Sequence, residues 1–400
     1  MNRYDRRIVT APGWMKEFTC IANKCSETCC QQWNIDVDPI HAECYTHLGD
    51  PELQMIMDGL LHRFQLRRSG RRKPELQYRF LLTNQPDQHC PLLNAEGFCR
   101  LQKKYGAEIL CDTCYFHPRT FWQIDEEVGM SACLSCPECA RLALMHEEPV
   151  SFTRFETMVD PNAEWLETSL ITDPDTRVLM QNRGELIQRL IDILQDRSEG
   201  SFSNRMARAI GFLTALSHVK HPDSETIRGV YEALGQDAAA LIKNEDSRTL
   251  IQRYLTTIDP INNGLEKAAQ GAERFTRSLA GGKEGFVNLL AQNFEAGCSI
   301  LEPFLRENKH LTENFMVHCV FSDSFKQFYR CQNEPVTVPV ILRHEAALLE
   351  LWYLFLRVLL AQAALTNNTM TEDIFMKTII HADKTFWHYP DWFSRCAERV

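Results

Sequence analysis

The sequence predicts a mainly α protein, in which a loop-rich, cysteine-rich N-terminal domain precedes a multi-helix C-terminal domain. Twelve of the sixteen cysteines lie before residue 140. From about residue 150 onward, apolar residues recur at helical spacing. At 400 residues the chain is long enough for two domains. We therefore expect a cysteine-rich, metal-binding domain at residues 1–148 and a helical domain at residues 149–400.

The N-terminal part alternates short apolar segments with turn-forming residues. Residues 33–39 (WNIDVDP) and 78–83 (YRFLLT) are two such segments, and Pro, Gly, Asn and Asp separate them from their neighbours. A unit of this kind has a thin hydrophobic core. We expect a bound metal centre to stabilise it.

The C-terminal part has the pattern of successive amphipathic helices. In residues 176–196 one helical face consists of Val178, Leu179, Leu186, Leu190, Ile193 and Leu194. Further helices are expected within 204–219, 225–243, 247–258, 285–305 and 340–365. Residues 346–365 are long enough to cross a membrane, but this stretch contains Glu350 and Arg357. We interpret it as a core helix and expect no membrane insertion.

Charge and the N-terminal sequence restrict the compartment and the partners. The formal net charge of -10 argues against a general nucleic-acid-binding protein, which needs clustered Lys and Arg for phosphate contacts. The first residues, MNRYDRRIVTAPGW, lack the apolar stretch of a signal peptide. We therefore expect a cytoplasmic location. In that reducing compartment cysteines serve as metal ligands more often than as disulfides.

Eleven of the twelve cysteines before residue 140 occur in four clusters. They are Cys20, Cys25, Cys29 and Cys30; Cys90 and Cys99; Cys111 and Cys114; and Cys133, Cys136 and Cys139. Adjacent cysteines rarely pair with each other, so Cys29 and Cys30 point either to different partners or toward one metal centre. Tidy CxxC pairs are typical of zinc sites, whereas iron–sulfur clusters tolerate irregular spacing. Most of these spacings are irregular, which favours iron–sulfur, with zinc and reduced structural thiols as the alternatives.

Several well-known cofactor motifs are missing from the sequence. Radical enzymes that use S-adenosylmethionine have a CxxxCxxC motif; Cys25 and Cys29 begin it, but Gln32 stands at the third position. No GxGxxG or GxxxxGK[ST] loop occurs either. The sequence thus argues against radical chemistry and against a standard nucleotide-binding loop.

The segments FTCIANKCSETCCQQWNIDVD, CPLLNAEGFCRLQKKYG, TCYFHPR and SACLSCPECARLAL resemble the flagellin lysine N-methylase family, within a wider group of cysteine-rich metal-chelating proteins. The resemblance implies a cytoplasmic enzyme that methylates the ε-amine of flagellin lysines, uses S-adenosylmethionine and carries a 4Fe-4S cluster. It places the cluster ligands among Cys20, Cys25, Cys29, Cys30, Cys90, Cys99, Cys114 and Cys133. Eight thiols exceed the need of one cluster, so either a second metal exists or some cysteines only line the site.

Methylation of a lysine requires its neutral amine, although the pKa of free lysine is about 10.4. A group that accepts the proton is therefore needed. Tyr115 and His117, beside Cys114, are the candidate catalytic residues. Arg119 in the same block is the candidate ligand of the donor carboxylate, and Trp33 is the second candidate donor-binding residue. The alternative for His117 and Arg119 is a structural turn packed by Pro118.

Two further segments and two other functions stay open. The aromatic residues 386–393 (FWHYPDWF) suit either a methylammonium cage or a core anchor. The basic residues 67–73 suit either a solvated loop or a docking site for an acidic partner. The cluster would either only stabilise the domain or also hold the donor. The main alternative to an enzyme is a non-catalytic zinc- or iron-binding adaptor whose helical half binds a partner. An electron-transfer protein, with a redox-active cluster and no methyl transfer, is a further variant of a non-methylating function.

Overall fold

The computed structural model describes residues 4–31, 33–66, 75–162, 164–199, 201–234, 282–325 and 336–384. The helices of this part are Pro39–Cys44 (α1), Pro51–Leu60 (α2), Arg100–Tyr105 (α3), Asp112–Phe116 (α4), Pro137–Leu144 (α5), Pro174–Gln181 (α6), Arg183–Gln195 (α7), Phe202–Leu216 (α8), Ser224–Ala233 (α9), Gly282–Glu307 (α10), Lys309–Asp323 (α11), Val338–Asn367 (α12) and Glu372–Ala382 (α13). Its strands are Arg6–Pro12 (β1), Ile35–Val37 (β2), Leu61–Leu66 (β3), Glu75–Phe80 (β4), Arg119–Ile124 (β5), Glu127–Ala132 (β6), Phe152–Met158 (β7) and Glu164–Leu166 (β8). The prediction of a mainly α protein is confirmed.

A five-stranded sheet supports the larger hydrophobic core, with the strand order β7-β1-β6-β5-β8. β1 runs antiparallel to β7, and β5 and β6 form a hairpin in which Arg119 lies opposite Ala132. β6 is buried from Val128 to Ala132 on both faces. Such continuous burial is expected of a strand covered on two sides, and helix α11 packs against it. The sheet therefore fixes Arg119 at the start of a rigid strand.

The helical half packs around α11 and α12. Helix α12 contacts α8 and α10, while α11 contacts α5 and α7. Glu313 of α11 is fully buried and forms an ion pair with Arg205 of α8 at 2.7 Å. The apolar pattern of residues 176–196 corresponds to two helices, α6 and α7, because the chain leaves helical geometry at Asn182.

Helix α12 is the one helix in the described part of the chain that is long and apolar enough to cross a membrane. Its polar residues have partners inside the protein. Glu345 is buried and accepts a hydrogen bond from the Phe325 backbone N–H at 3.0 Å, and Arg357 forms an ion pair with Glu302 of α10. These contacts favour the interpretation of α12 as a core helix.

A second, smaller hydrophobic core lies within the cysteine-rich segment. The three-stranded sheet β2-β4-β3 forms one side of it, and the buried cysteines Cys90 and Cys111 belong to it. The N-terminal third thus contains two sheets in addition to its loops. The larger core contains residues from both sides of position 148, such as Phe121 and Leu190. The domain boundary at 148/149 stays a prediction.

Candidate metal centre and catalytic cavity

A cavity of about 510 Å³ lies where the two hydrophobic cores meet. Phe18 and Phe116 of the larger core and Ile35 and Phe80 of the smaller core line it. The lining also contains nine of the twelve predicted site residues: Cys20, Cys29, Cys30, Cys90, Cys99, Cys114, Tyr115, His117 and Arg119. Cys25, Cys133 and Trp33 do not belong to the lining. The structure therefore brings most of the predicted site together.

The segment around α4 presents the two candidate catalytic side chains. Tyr115 lies in α4, and His117 follows directly as its C-terminal cap. The Tyr115 hydroxyl donates to Met158 Sδ at 3.2 Å, and the Tyr115 ring stacks on Tyr4 with 4.8 Å between the ring centroids. These contacts hold Tyr115 in one orientation on the cavity wall.

His117 has an unused nitrogen. Its Nε2 atom is buried and has no hydrogen-bond partner among the described residues. Trp33 lies beside the imidazole, with 5.5 Å between the ring centroids, and its indole N–H donates to the Cys29 carbonyl at 2.6 Å. A buried polar atom without a partner is costly unless a bound molecule satisfies it. His117 Nε2 is therefore a candidate contact for a substrate or a cofactor.

Two arginines add positive charge to the otherwise largely apolar cavity. Arg119 lies over the Phe18 ring, with 5.2 Å from its guanidinium carbon to the ring centroid. Arg6 also lines the cavity and forms an ion pair with Glu156 at 3.3 Å. A guanidinium group on an aromatic face keeps its fork of donors available for a carboxylate. Arg119 is thus suited to bind an acidic group of a ligand.

A first thiol group consists of Cys30, Cys90, Cys99, Cys111 and Cys114. The Cys90 N–H donates to the Cys30 carbonyl at 2.8 Å. Cys111 is the N-terminal cap of α4, and its thiol forms a hydrogen bond with the Cys114 thiol. Burial raises the pKa of the Cys90 thiol to about 12. A buried thiol of this kind keeps its proton until a metal cation replaces it.

A second thiol group consists of Cys20, Cys25, Cys133, Cys136 and Cys139. Cys136 caps the N-terminus of α5, and its N–H contacts the Cys133 carbonyl at 3.4 Å. A hydrogen bond from the Cys139 thiol lowers the pKa of the Cys136 thiol to about 7. The thiols of Cys20 and Cys25 both lie within electrostatic reach of Cys136.

The predicted metal ligands did not include Cys111, Cys136 and Cys139, which the structure places in the two thiol groups. Their CxxC spacing is the sequence signal that could have identified them, since it places both thiols of a pair on the same side of a helix N-terminus. The aromatic residues 386–393, the basic residues 67–73, Cys331 and Cys396 lie outside the described residues. The roles predicted for residues 386–393 and 67–73 stay predictions.

One tight group of potential metal ligands is found near the first thiol group. Ligand atoms of Asp38, His41 and Asp112 lie within 4.8 Å of one another, and in the described residues no three thiols lie so close together. Asp38 accepts hydrogen bonds from the His41 backbone and ring and from the Asp112 N–H. Asp112 accepts from Tyr4 and Asn162. Because hydrogen bonds satisfy these carboxylates, we interpret the trio as a structural network.

Comparisons with known proteins place the chain in a family. The model of the FliB lysine N-methylase C-terminal domain matches residues 188–400, which is just over half of the chain. The flagellar biosynthetic protein FliU of Salmonella muenchen is 31% identical over 131 residues, or 32% of this chain and 73% of that protein. The lysine-N-methylases of Salmonella typhimurium and Salmonella choleraesuis are each 31% identical over 130 residues.

The matched segment spans 31% of the length of each of those lysine-N-methylases and 32% of this chain. No solved structure matches the chain. The family model alone covers more than half of the sequence. The chain therefore belongs to the FliB lysine N-methylase family.

Proposed function

We propose that this protein is a cytoplasmic enzyme that transfers a methyl group from S-adenosylmethionine to the ε-amine of flagellin lysines, with a 4Fe-4S cluster held by cavity thiols. The observation that carries the proposal is that Tyr115, His117 and Arg119 line the same cavity as six cysteines. The names of the relatives, lysine-N-methylase and flagellar biosynthetic protein, support the reaction and its flagellar setting.

The thiols of the cavity suit an iron–sulfur cluster. Cys30, Cys90, Cys99 and Cys114 come from three chain segments and all line the cavity. Ligands of one tetrahedral zinc, with bonds of about 2.3 Å, would lie about 4 Å apart. In the described residues no three thiols approach so closely, and a cubane accepts ligands on separate iron corners. We assign these four cysteines to the cluster, which when bound links the segments that carry them.

The remaining lining suits a methyl donor with an amino acid tail. A volume of about 510 Å³ lies in the usual range of small-molecule sites, which is about 300–1,000 Å³. Arg119 offers two parallel hydrogen bonds to a carboxylate, and it is the proposed ligand of the donor tail. Trp33 contacts His117 from outside the lining. Its proposed part in donor binding is therefore to hold the His117 ring in place.

The apolar lining and His117 prepare the lysine for reaction. Phe18, Phe116 and Ile35 exclude water, and desolvation lowers the pKa of an amine. His117 Nε2 then accepts the amine proton. The amine nitrogen attacks the methyl carbon of the sulfonium donor, the carbon–sulfur bond breaks, and its electron pair leaves with the thioether product. Tyr115, which Met158 and Tyr4 hold on the cavity wall, positions the amine beside His117.

The test is a methylation assay with anaerobically purified, metal-loaded protein, purified flagellin and methyl-labelled S-adenosylmethionine. We expect N-methyl-lysine in flagellin, measured by mass spectrometry, and a fall in kcat of about 100-fold or more for His117→Gln, because a positioned base contributes at least that much. His47, an exposed histidine outside the cavity, provides the control variant His47→Gln with an unchanged rate.

Arg119→Gln should raise the KM for the donor more than it lowers kcat, since it removes a binding contact. If metal-loaded wild-type protein transfers no methyl group to flagellin, the proposed activity is wrong. If transfer occurs and His117→Gln matches the wild-type rate across pH 6 to 9, the assignment of the base is wrong.

A further inference from the structure

The adjacent residues Cys29 and Cys30 lie at the junction of the two thiol groups. The Cys30 carbonyl accepts a hydrogen bond from Cys90, and the Cys30 thiol lies within electrostatic reach of Cys114, so Cys30 belongs to the first group. The Cys29 thiol contacts Cys30 and His117, and it acts electrostatically on Cys90 of the first group as well as on Cys20 and Cys25 of the second group. Cys29 therefore lies between the two thiol groups and interacts with both.

The second thiol group has its own backbone frame. Cys133, Cys136 and Cys139 follow one another at a spacing of three residues through the turn that begins α5. The thiols of Cys136 and Cys139 form a hydrogen bond, and the Cys139 thiol lies within electrostatic reach of Cys133. Cys20 and Cys25 approach this turn from the loop before β2.

The spacing within this group is typical of iron–sulfur ligation. A CxxCxxC run supplies three thiolates to one cubane in bacterial ferredoxins, and the fourth ligand comes from elsewhere in the chain. Here Cys20 and Cys25 are the thiols in reach for the fourth position. Arg119 lies close enough to act on both Cys20 and Cys139, so it places a cation beside the negative charge of a thiolate-bound cluster.

We propose that this protein holds a second iron–sulfur cluster, bound by Cys133, Cys136, Cys139 and one thiol of the Cys20–Cys25 loop, in addition to the cluster of the first thiol group. The number of bound clusters does not depend on methyl transfer, so the proposal goes beyond the proposed function. A second cluster explains why the cysteine-rich segment has more thiols than one four-ligand site needs.

The position of the second group gives this cluster a structural consequence. The Ser135 N–H, between Cys133 and Cys136, donates to Asp383 at 2.6 Å. Glu27, in the same loop as Cys25, forms an ion pair with Lys384 at 2.6 Å. Both partners follow α13 near the C-terminal end of the described chain. The second cluster thus links the cysteine-rich loops to the helical half.

The test is the metal and sulfide content of anaerobically purified full-length protein. We expect about eight iron and eight sulfide per chain for two cubane clusters, with no stoichiometric zinc. A Cys136→Ser, Cys139→Ser double variant should retain about four iron, and so should a Cys90→Ser, Cys99→Ser double variant. The exposed Cys44 lies outside both groups, and Cys44→Ser should retain all eight.

The iron content of the wild-type protein tests the proposal even if a double variant fails to fold. Four iron per wild-type chain overturns it, whichever variant loses them. One zinc per chain in place of the second set of iron also overturns it. A methylation assay on the same samples tests the proposed function separately. Eight iron atoms per chain without methyl transfer would support the second cluster and contradict the proposed function.

Discussion

The Asp38 carboxylate accepts three hydrogen bonds within the cysteine-rich segment. It accepts from the His41 N–H at 3.0 Å, from the His41 ring at 2.8 Å and from the Asp112 N–H at 3.1 Å. Burial opposes ionisation of this group, but the hydrogen bonds from His41 and Asp112 outweigh burial and hold the pKa of Asp38 well below its usual range. This stabilisation is complete above the pKa of the unfolded chain and is lost as the pH falls below it.

Asp38→Ala is expected to destabilise the protein at pH 7 by about 2 kcal/mol, because it removes the N-terminal cap of α1 and the acceptor of the Asp112 N–H. The measurement is urea unfolding of metal-loaded protein. Asp36, two residues earlier, has an exposed side chain that pairs with Arg79 at 2.5 Å. Surface pairs contribute little, so Asp36→Ala should cost clearly less. Equal losses for the two variants would contradict the role given to Asp38.

At the scale of the element, the backbones of α10 and α12 lie close together at Gly297. A Cβ atom at this position would overlap the carbonyl group of Ala361 in α12. The oxygen and carbon of this carbonyl group belong to the α12 backbone, which cannot move aside as a flexible side chain can. The glycine therefore allows the two longest helices of the described chain to pack at short distance.

Gly297→Ala is expected to lower the free energy of unfolding by about 1–3 kcal/mol, since overpacking forces the helices apart. Gly184 in α7 provides the matched control, because a Cβ atom there meets no atom within 4 Å. Gly184→Ala should be neutral or should stabilise by up to about 1 kcal/mol through helix propensity. Thermal unfolding of the two variants is the measurement. A stabilised Gly297→Ala protein would show that α10 and α12 do not need this contact.

Local sequence patterns predicted the helices better than the strands. The apolar spacing of residues 340–365 predicted a helix that the structure has as α12, because one face of a helix is encoded by neighbours in the chain. β1 pairs with β7, so that Arg6 lies opposite Met158, and no local pattern encodes a partner so distant. The segment TCYFHPR pointed to the cavity, whereas the approach of Cys30 to Cys90 depends on long-range packing.

At the scale of the whole molecule, polar contacts join the cysteine-rich segment to the residues at the end of α13 and just after it. Asp383 makes one of them through the Ser135 N–H, and it is almost fully buried. Burial raises the pKa of Asp383 to about 7. The protonated carboxyl group suits this position, since it avoids a buried charge and still accepts the hydrogen bond.

The raised pKa of Asp383 gives the whole protein a pH-dependent stability. Between the unfolded pKa of about 4 and the folded pKa of about 7, the folded state binds more protons than the unfolded state, so stability falls as the pH rises. Asp383→Asn keeps a carbonyl acceptor for Ser135 and removes the charge. We expect the Tm of this variant relative to wild type to increase from pH 5.5 to pH 7.5 and then to level off.

Thermal unfolding of metal-loaded protein in buffers from pH 5.5 to pH 8.5 measures this difference. Asp373→Asn is the matched control, because Asp373 lies exposed on α13 beside Lys377. Its Tm difference from wild type should not change over this range. A Tm difference for Asp383→Asn that stays constant with pH would mean that Asp383 is already ionised in the folded protein. The contact between Ser135 and Asp383 would then join the two parts of the chain through a buried charge instead of a proton-bearing carboxyl group.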